Sequence, residues 1–211
     1  MLLCICLLFT ITAATSAQGI STADGKIKMT IVTTAGCGDT VNFITKQLSP
    51  VYDKFSEHLI LEFVPWGRTR RNRNGGLVCQ FGTKDCFANR VHRCTLDMLK
   101  NNQYNQVKYM VCEFSLRSAY KNADLTCAKN AGVNLSELES CVKTPKGDIL
   151  DAEDEAKAAE PMRVVNFVPA IAFNGVSDYS VQRAARTDLK TLVCGALQAD
   201  PSTRSNVAGF C

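Results

Sequence analysis

The sequence is poor in the residues that build metal sites. Its 211 residues include only two histidines, His58 and His92, and none of its eleven cysteines are spaced as Cys-x-x-Cys. Structural zinc sites need closely spaced cysteine and histidine ligands, so this pattern argues against zinc. The acidic stretch at residues 148–160 also lacks the ligand spacing of a calcium loop. We therefore predict no metal and no cofactor.

Long hydrophobic runs are also missing after the first residues. The apolar run Leu2–Ala14 is too short to cross a bilayer, and small residues typical of a cleavage site precede Gln18. We predict a signal peptide at residues 1–17, an exported chain with no membrane span, and a single domain at residues 18–211. The run has no preceding Lys or Arg, so a retained membrane anchor stays as an alternative.

Cys37 lies where a predicted strand meets a predicted helix. Apolar residues alternate over Ile27–Val32, which indicates a strand with one better-buried face. From Thr40 to Phe55 they recur every three or four residues, which predicts a helix that Pro50 should kink. The unpaired N–H groups and the dipole at a helix start favour a thiolate. Cys37 is therefore the candidate nucleophile.

The order of the predicted elements indicates an α/β, thioredoxin-like fold. A second apolar strand, Leu59–Trp66, follows the helix and implies a parallel βαβ unit. Downstream, Val164–Phe173 and Val176–Tyr179 read as antiparallel strands joined at Asn174-Gly175, a strong hairpin signal. A helical pattern over residues 181–197 closes the chain. The order β-α-β, insert, β-β-α is the thioredoxin arrangement.

Pro169 lies inside the third apolar run, where it would interrupt a central strand. We interpret it as a cis-proline that begins the strand and braces the thiol site. A proline on an edge strand is the alternative.

The segment at about residues 79–160 is predicted to be a helical insert stapled by disulfides, with short helices around residues 91–99, 107–116 and 135–142. Its acidic end, residues 148–160, is too polar to bury and predicts an exposed helix. Asn134 begins a glycosylation sequon, Asn-Leu-Ser, in an exported chain. Asn134 can instead cap a helix, because Glu137 follows three residues later.

A loop after the second predicted strand carries four arginines: Arg68, Arg70, Arg71 and Arg73. In a βαβ unit this loop emerges at the same end as Cys37. We therefore predict a cationic surface beside the thiol. It could bind sulfate, phosphate or carboxylate groups, including those of an anionic glycan or a cell surface. Lys84, Arg90 and Arg93 can widen that surface. A solvated loop is the alternative. The net charge is only +4 and no aromatic run accompanies the arginines, so we expect no nucleic-acid partner.

The segment Cys79–Cys94 resembles the signature of gamma-interferon-inducible lysosomal thiol reductases, CQHGxxECxxNxxxxC. Three cysteines, a glutamine, a glycine and an asparagine fall in register, while Phe81 replaces the histidine and Asp85 the glutamate. Segments at residues 47–50, 64–67 and 168–175 are also similar to those of the family. The resemblance covers roughly Lys26 to Cys211.

The resemblance implies a thioredoxin-fold reductase, exported or lysosomal, that opens substrate disulfides at acidic pH. Cys37 maps onto the nucleophile, whereas Thr40 replaces the second cysteine and Asp39 sets a carboxylate beside the thiol, which disfavours the thiolate. A monothiol must wait for an external thiol to release its substrate. We expect a secreted protein, with the lysosome as the alternative, that acts mainly by binding a protein partner. The alternative is a monothiol reductase of disulfide-containing proteins that uses Cys37.

Nine cysteines remain once the predicted signal peptide is cleaved, because Cys4 and Cys6 are lost with it. In an oxidising compartment most of them should pair, although connectivity cannot be read from sequence. Because its family partner is missing, Cys37 is the expected unpaired thiol; its recruitment into a structural or intermolecular disulfide is the alternative. The cysteines expected in structural disulfides are Cys79, Cys86, Cys94, Cys112, Cys127, Cys141, Cys194 and Cys211.

Overall fold

Residues 19–211 are described by a computed structural model. The predicted signal peptide at residues 1–17 lies outside the described residues, as do Cys4 and Cys6. Within residues 19–211, no helix combines the length and the apolar composition needed to cross a membrane.

The first two strands form the predicted parallel pair. β1 (Ile27–Val32) and β2 (Leu59–Val64) run side by side in the same direction, with Ile27 opposite Leu59. The alternation in β1 buries the expected face, because Ile27, Met29 and Ile31 are all 0% exposed. A 3₁₀ turn at Ser56–His58 leads into β2.

The helix between these strands is irregular. It begins as α1 (Gly38–Asn42), widens into a π-helical turn at Phe43–Leu48 and continues as α2 (Ser49–Phe55). Pro50 has no N–H for an i→i−4 hydrogen bond, and it occupies the first turn of α2. The predicted disruption of the helix is therefore a wide turn that lies just before the proline.

A small hairpin precedes the predicted insert, and the insert itself is helical. β3 (Arg70–Arg71) pairs antiparallel with β4 (Leu77–Val78). The helices are α3 (Thr83–Met98), α4 (Gln103–Leu116), α5 (Ser118–Asn122), α6 (Thr126–Asn130), α7 (Leu135–Lys143) and α8 (Pro145–Val165). The three predicted amphipathic helices correspond to α3, α4 and α7.

The second hairpin completes the sheet. β5 (Ala170–Phe173) and β6 (Val176–Ser177) are joined at Asn174 and Gly175, which have φ of 51° and 80°, as a type I′ turn requires. β5 also pairs antiparallel with β1, which gives the strand order β2-β1-β5-β6. The predicted strand over Val164–Phe173 is too long, because its first two residues form the end of α8.

The chain closes with α9 (Tyr179–Ala199) and α10 (Arg204–Val207). The prediction of a closing helix is confirmed, although Asp188 interrupts it with φ −152° and ψ 80°. Both faces of the sheet are covered. Ile31 and Ile171 belong to the larger core, whereas Val32, Val64 and Ala170 pack with Trp66, Ala158 and Val165 in a second core.

The prediction that residues 148–160 form an exposed helix is wrong for two carboxylates. α8 buries Asp151 and Asp154, which are 0% and 8% exposed. Arg93 of α3 lies 2.5 Å from Asp151 and 3.2 Å from Asp154, and Arg90 lies 2.6 Å from Asp151. Buried charges persist when they are paired in this way. Arg90 and Arg93 therefore do not widen the cationic surface, which corrects that prediction as well.

Candidate functional site

The thiol of Cys37 lies at the junction of β1 and α1. Cys37 is the N-cap residue of α1, with an extended backbone at φ −83° and ψ 123°, and it is 6% exposed. Its Sγ donates a hydrogen bond to the carbonyl oxygen of Val168 at 3.4 Å. The Val168–Pro169 peptide is cis, and Pro169 directly precedes β5. The thiol therefore stands between a helix start and a proline turn.

Thr40 occupies the position three residues after Cys37, in the first turn of α1. It is 0% exposed, and its hydroxyl has no hydrogen-bond partner among residues 19–211. A hydroxyl cannot form a disulfide, so α1 offers Cys37 no second thiol. Asp39, between them, is exposed.

The residues before Cys37 are held by a buried carboxylate of α3. The hydroxyl of Thr34 donates to both oxygens of Asp85, at 3.0 and 2.9 Å. The backbone N–H groups of Gly36 and Phe81 donate to the same carboxylate at 2.9 and 3.2 Å. Asp85 is 0% exposed, so these donors replace the water that an exposed carboxylate would bind.

A buried amide and an arginine complete this support of Thr34–Gly36, which we call the thiol loop. The side chain of Asn89 donates to Thr34 at 3.0 Å and accepts from the N–H of Ala35 at 2.9 Å. Arg117 donates to the carbonyls of Ala35 and Gly36 at 3.2 and 2.8 Å. The conformation of the thiol loop is therefore set by α3 and by the residue that follows α4.

Gly36 is required by close packing. A Cβ added at Gly36 would lie 2.4 Å from Cδ2 of Phe81, well inside van der Waals contact. Phe81, which is 39% exposed, thus covers the backbone beside the thiol. Sequence reasoning placed Asp85 and Asn89 in the signature without giving them a role, and their register in that motif was the signal that pointed to them.

The four arginines after β2 do not form one free surface. Arg71 makes an ion pair with Glu155, with 2.7 Å between Nε and Oε2, and lies 5.7 Å from the ring centre of Trp66. Arg70 and Arg73 are exposed and have no ion pair among the described residues. Only part of the predicted cationic surface is therefore free to bind a ligand.

Arg68 reaches the turn that touches Cys37. Its Nη2 donates to the carbonyl oxygen of Asn166 at 2.6 Å, two residues before Val168. The guanidinium of Arg186, from α9, lies 3.6 Å from the ring centre of Phe167 in the same turn. Sequence reasoning missed Arg186, because nothing in a solvent-facing helical pattern marks one arginine among several.

Within residues 19–211, the eight cysteines other than Cys37 form four disulfides. The pairs are Cys79–Cys86, Cys94–Cys141, Cys112–Cys127 and Cys194–Cys211. The first closes the loop that carries Phe81 and leads into Asp85, and the second joins α3 to α7. Among the cysteines of residues 19–211, Cys37 alone is outside a disulfide.

Asn134 is exposed and caps α7, since its Oδ1 accepts from the N–H groups of Ser136 and Glu137 at 3.0 and 3.3 Å. A glycan on Asn134 stays a prediction. No group of three or more His, Cys, Asp or Glu side chains within the described part of the chain is arranged to hold a metal ion.

Known proteins resemble this chain in sequence. The model of a family described as gamma interferon inducible lysosomal thiol reductase matches residues 28–131, which include Cys37, Asp85 and Asn89. GILT-like protein 1 of Drosophila melanogaster is 28% identical, over 92% of this chain and 82% of that protein. The gamma-interferon-inducible lysosomal thiol reductase-like protein of Anopheles gambiae is 24% identical, over 78% of this chain and 74% of that protein.

A solved structure supports the fold. The crystal structure of reduced DsbA from Mycobacterium tuberculosis matches 92% of this chain and 95% of its own, with a TM-score of 0.52 and 15% identity. The predicted thioredoxin-like fold with a helical insert is therefore confirmed.

Proposed function

We propose that this chain is an exported protein that acts mainly by binding a protein partner. The chain belongs to the gamma interferon inducible lysosomal thiol reductase family. In this proposal its Cys-x-x-Thr site lacks efficient dithiol reductase activity. The observation that carries the proposal is Thr40, which is fully buried in the position where a resolving thiol would stand.

The physical reason lies in the second half of a dithiol reaction. A resolving cysteine on the same helix attacks the mixed disulfide at a very high effective concentration. Without it, Cys37 must be released by an external thiol, whose attack depends on its concentration and access. The small exposure of Cys37, 6%, further limits that access.

Four disulfides support export, because such bonds persist in oxidising compartments. We propose the extracellular space as the location, with the lysosome as the alternative. The surface around Cys37 is the proposed binding face. Phe81 packs against Gly36, Arg68 donates to the turn that Cys37 contacts, and both side chains are exposed.

A monothiol reductase is the second candidate, and the unpaired Cys37 at a helix start favours it. The Cys37 thiolate would attack one sulfur of a substrate disulfide and form a mixed disulfide. The other substrate sulfur would leave with the electron pair and take a proton from solvent. A first external thiol would attack the Cys37 sulfur and release the second substrate thiol, and a second external thiol would then attack the first, releasing Cys37 and leaving the two external thiols as a disulfide.

Reduction of insulin disulfides at acidic and neutral pH distinguishes the two candidates. We expect little activity from the native chain, a clear gain in Thr40→Cys, and a further gain when Asp39→Ser removes the adjacent charge. Cys37→Ser with Thr40→Cys is the matched control and should be inactive. If the native chain is as active as the variant that combines Thr40→Cys with Asp39→Ser, the monothiol is a competent catalyst and the binding proposal is wrong.

A further inference from the structure

Three consecutive residues of the turn before β5 are each contacted by a different chemically active side chain. Asn166 accepts a hydrogen bond from Arg68 at 2.6 Å, the ring of Phe167 lies under Arg186 at 3.6 Å, and Val168 accepts from the thiol of Cys37 at 3.4 Å. Consecutive Cα atoms are about 3.8 Å apart, so both guanidinium groups are anchored within two residues of the contact made by the thiol.

Both arginines retain unused donors. Arg68 is exposed and uses only Nη2, while Arg186 is half-buried and has neither a hydrogen bond nor an ion pair among residues 19–211. A guanidinium presents five N–H donors in a planar fork that matches a carboxylate. The contacts to Asn166 and Phe167 fix the position of each fork, which lowers the entropy lost when a carboxylate binds.

Three other charged side chains contact the thiol loop or lie on α1. Arg117 is engaged by the carbonyls of the thiol loop, and the carboxylate of Asp85 is buried and holds three donors. Asp39 is exposed and is the one acidic residue of α1. Its single charge opposes an anionic partner but does not balance two free guanidinium groups.

We propose that Arg68 and Arg186 make the thiol face a binding site for an acidic polypeptide segment, whose carboxylates lie close to the cysteine that meets Cys37. The inference rests on the proposed function and names its class of partner. A polypeptide fits better than a glycan because the arginine contacts and the thiol share one short turn. An extended segment advances about 3.3 Å per residue, so a short segment is as long as the three-residue turn that all three groups contact.

Thiol exchange with charged peptides tests the site. Three seven-residue peptides carry one central cysteine, flanked by glutamate, glutamine or lysine pairs, as a mixed disulfide with thionitrobenzoate. The Cys37 thiolate attacks the peptide sulfur, a new S–S bond forms, and thionitrobenzoate leaves with the electron pair as a yellow thiolate. The proton of Cys37 passes to buffer, and no external oxidant or reductant is needed. Thionitrobenzoate is the better leaving group, which directs the attack to the peptide sulfur.

We expect the glutamate peptide to react about tenfold faster than the lysine peptide at low salt, and this ratio to shrink in about 0.5 M sodium chloride. Arg68→Ser and Arg186→Ser should each lower the ratio about threefold. Arg204→Ser removes the same charge elsewhere and is the matched control. Arg204 contacts Gln198, which lies ten residues beyond the break at Asp188 in α9, or about 15 Å along the helix that follows that break.

A ratio near one in the native chain, or a ratio that Arg68→Ser and Arg186→Ser leave unchanged, overturns the inference. If no peptide reacts with Cys37, exchange chemistry has failed, and fluorescence anisotropy with a cysteine-free glutamate peptide on Cys37→Ser then decides the acidic site separately. Saturable binding that Arg68→Ser and Arg186→Ser weaken supports the site, and its absence overturns it. Tighter binding of a heparin oligosaccharide than of the glutamate peptide, lost in the same variants, would also overturn the choice of a polypeptide.

Discussion

The carboxylate of Asp85 accepts a hydrogen bond from the backbone N–H of Gly36 at 2.9 Å. This contact joins α3 to the residue next to the thiol. α3 is in turn fixed to α8 by the buried pair of Arg93 and Asp151, at 2.5 Å. The reactive residue is therefore positioned by a line of polar contacts that crosses the insert.

Replacing Asp85 with alanine should loosen the thiol loop. The variant leaves the hydroxyl of Thr34 and the N–H groups of Gly36 and Phe81 without their acceptor, so we expect a loss of about 1–3 kcal/mol in the free energy of unfolding. Alkylation of Cys37 should become faster, as followed by mass spectrometry. Asp85→Glu keeps a carboxylate and should lose less. Equal stability of Asp85→Ala and the native chain would contradict this role.

Alkylation of the native chain should label a single cysteine. The other eight cysteines of the described residues are in disulfides, so iodoacetamide without reductant should modify Cys37 alone. Its 6% exposure predicts slow labelling that accelerates in denaturant. Peptide mapping identifies the site, and Cys37→Ser should remove all label. A second labelled position would mean that one of the four disulfides is absent.

Removing the charge of Arg93 should be the most damaging change in the insert. Arg93→Met leaves the buried Asp154 without its ion-pair partner and Asp151 with Arg90 alone, which we expect to lower the free energy of unfolding by about 3–5 kcal/mol at neutral pH. Arg73→Met, in an exposed loop, should change it by less than about 0.5 kcal/mol. Urea unfolding followed by circular dichroism measures both. Similar stability of the two variants would refute the role of the buried pair.

Stability should depend on pH through Asp154. Burial raises the pKa of its carboxyl to about 6, against the opposing effect of Arg93, from a reference value of 3.8. Between these values the folded chain binds more protons than the unfolded chain. The contribution of Asp154 to the free energy of unfolding is therefore largest below about pH 4 and falls as pH rises to about 6.

Asp154→Asn removes that titration. Relative to the native chain, the variant should gain up to about 3 kcal/mol in the free energy of unfolding as pH rises from about 4 to 7. The difference between the two chains is the measured quantity, because other groups titrate in both. Glu153→Gln, an exposed neighbour on the same helix, should run parallel to the native chain. A constant difference for Asp154→Asn would show that this carboxyl does not control the pH response.

The parts of the fold that follow from the sequence are those with local signals. The alternation in β1, the helical spacing after Thr40 and the Asn174-Gly175 turn each lie within a few residues, and the structure contains all three elements. The wide turn before Pro50 is a detail that spacing does not specify, because a proline disrupts a helix in several ways.

The parts that the sequence did not reveal depend on distant pairs. Asp151 looked exposed because its neighbours are acidic, but its partner Arg93 lies 58 residues away. Asp85 and Asn89 contact the thiol loop across 49 to 55 residues, and Arg186 belongs to the opposite end of the chain. Composition describes what surrounds a residue in the chain, whereas burial depends on what surrounds it in space.

The four disulfides also have a consequence for the order of oxidative folding. Three of them join cysteines that are 7, 15 or 17 residues apart, whereas Cys94–Cys141 spans 47. Because more chain entropy is lost, closing the 47-residue loop costs about 1 kcal/mol more free energy than closing one of 15 residues. We therefore expect the three local bridges to form first and the bridge that ties α3 to α7 to form last. When this last bridge forms and fixes α3, few other free thiols remain in the chain. Cys37 is then protected from forming a disulfide with a cysteine of its own chain.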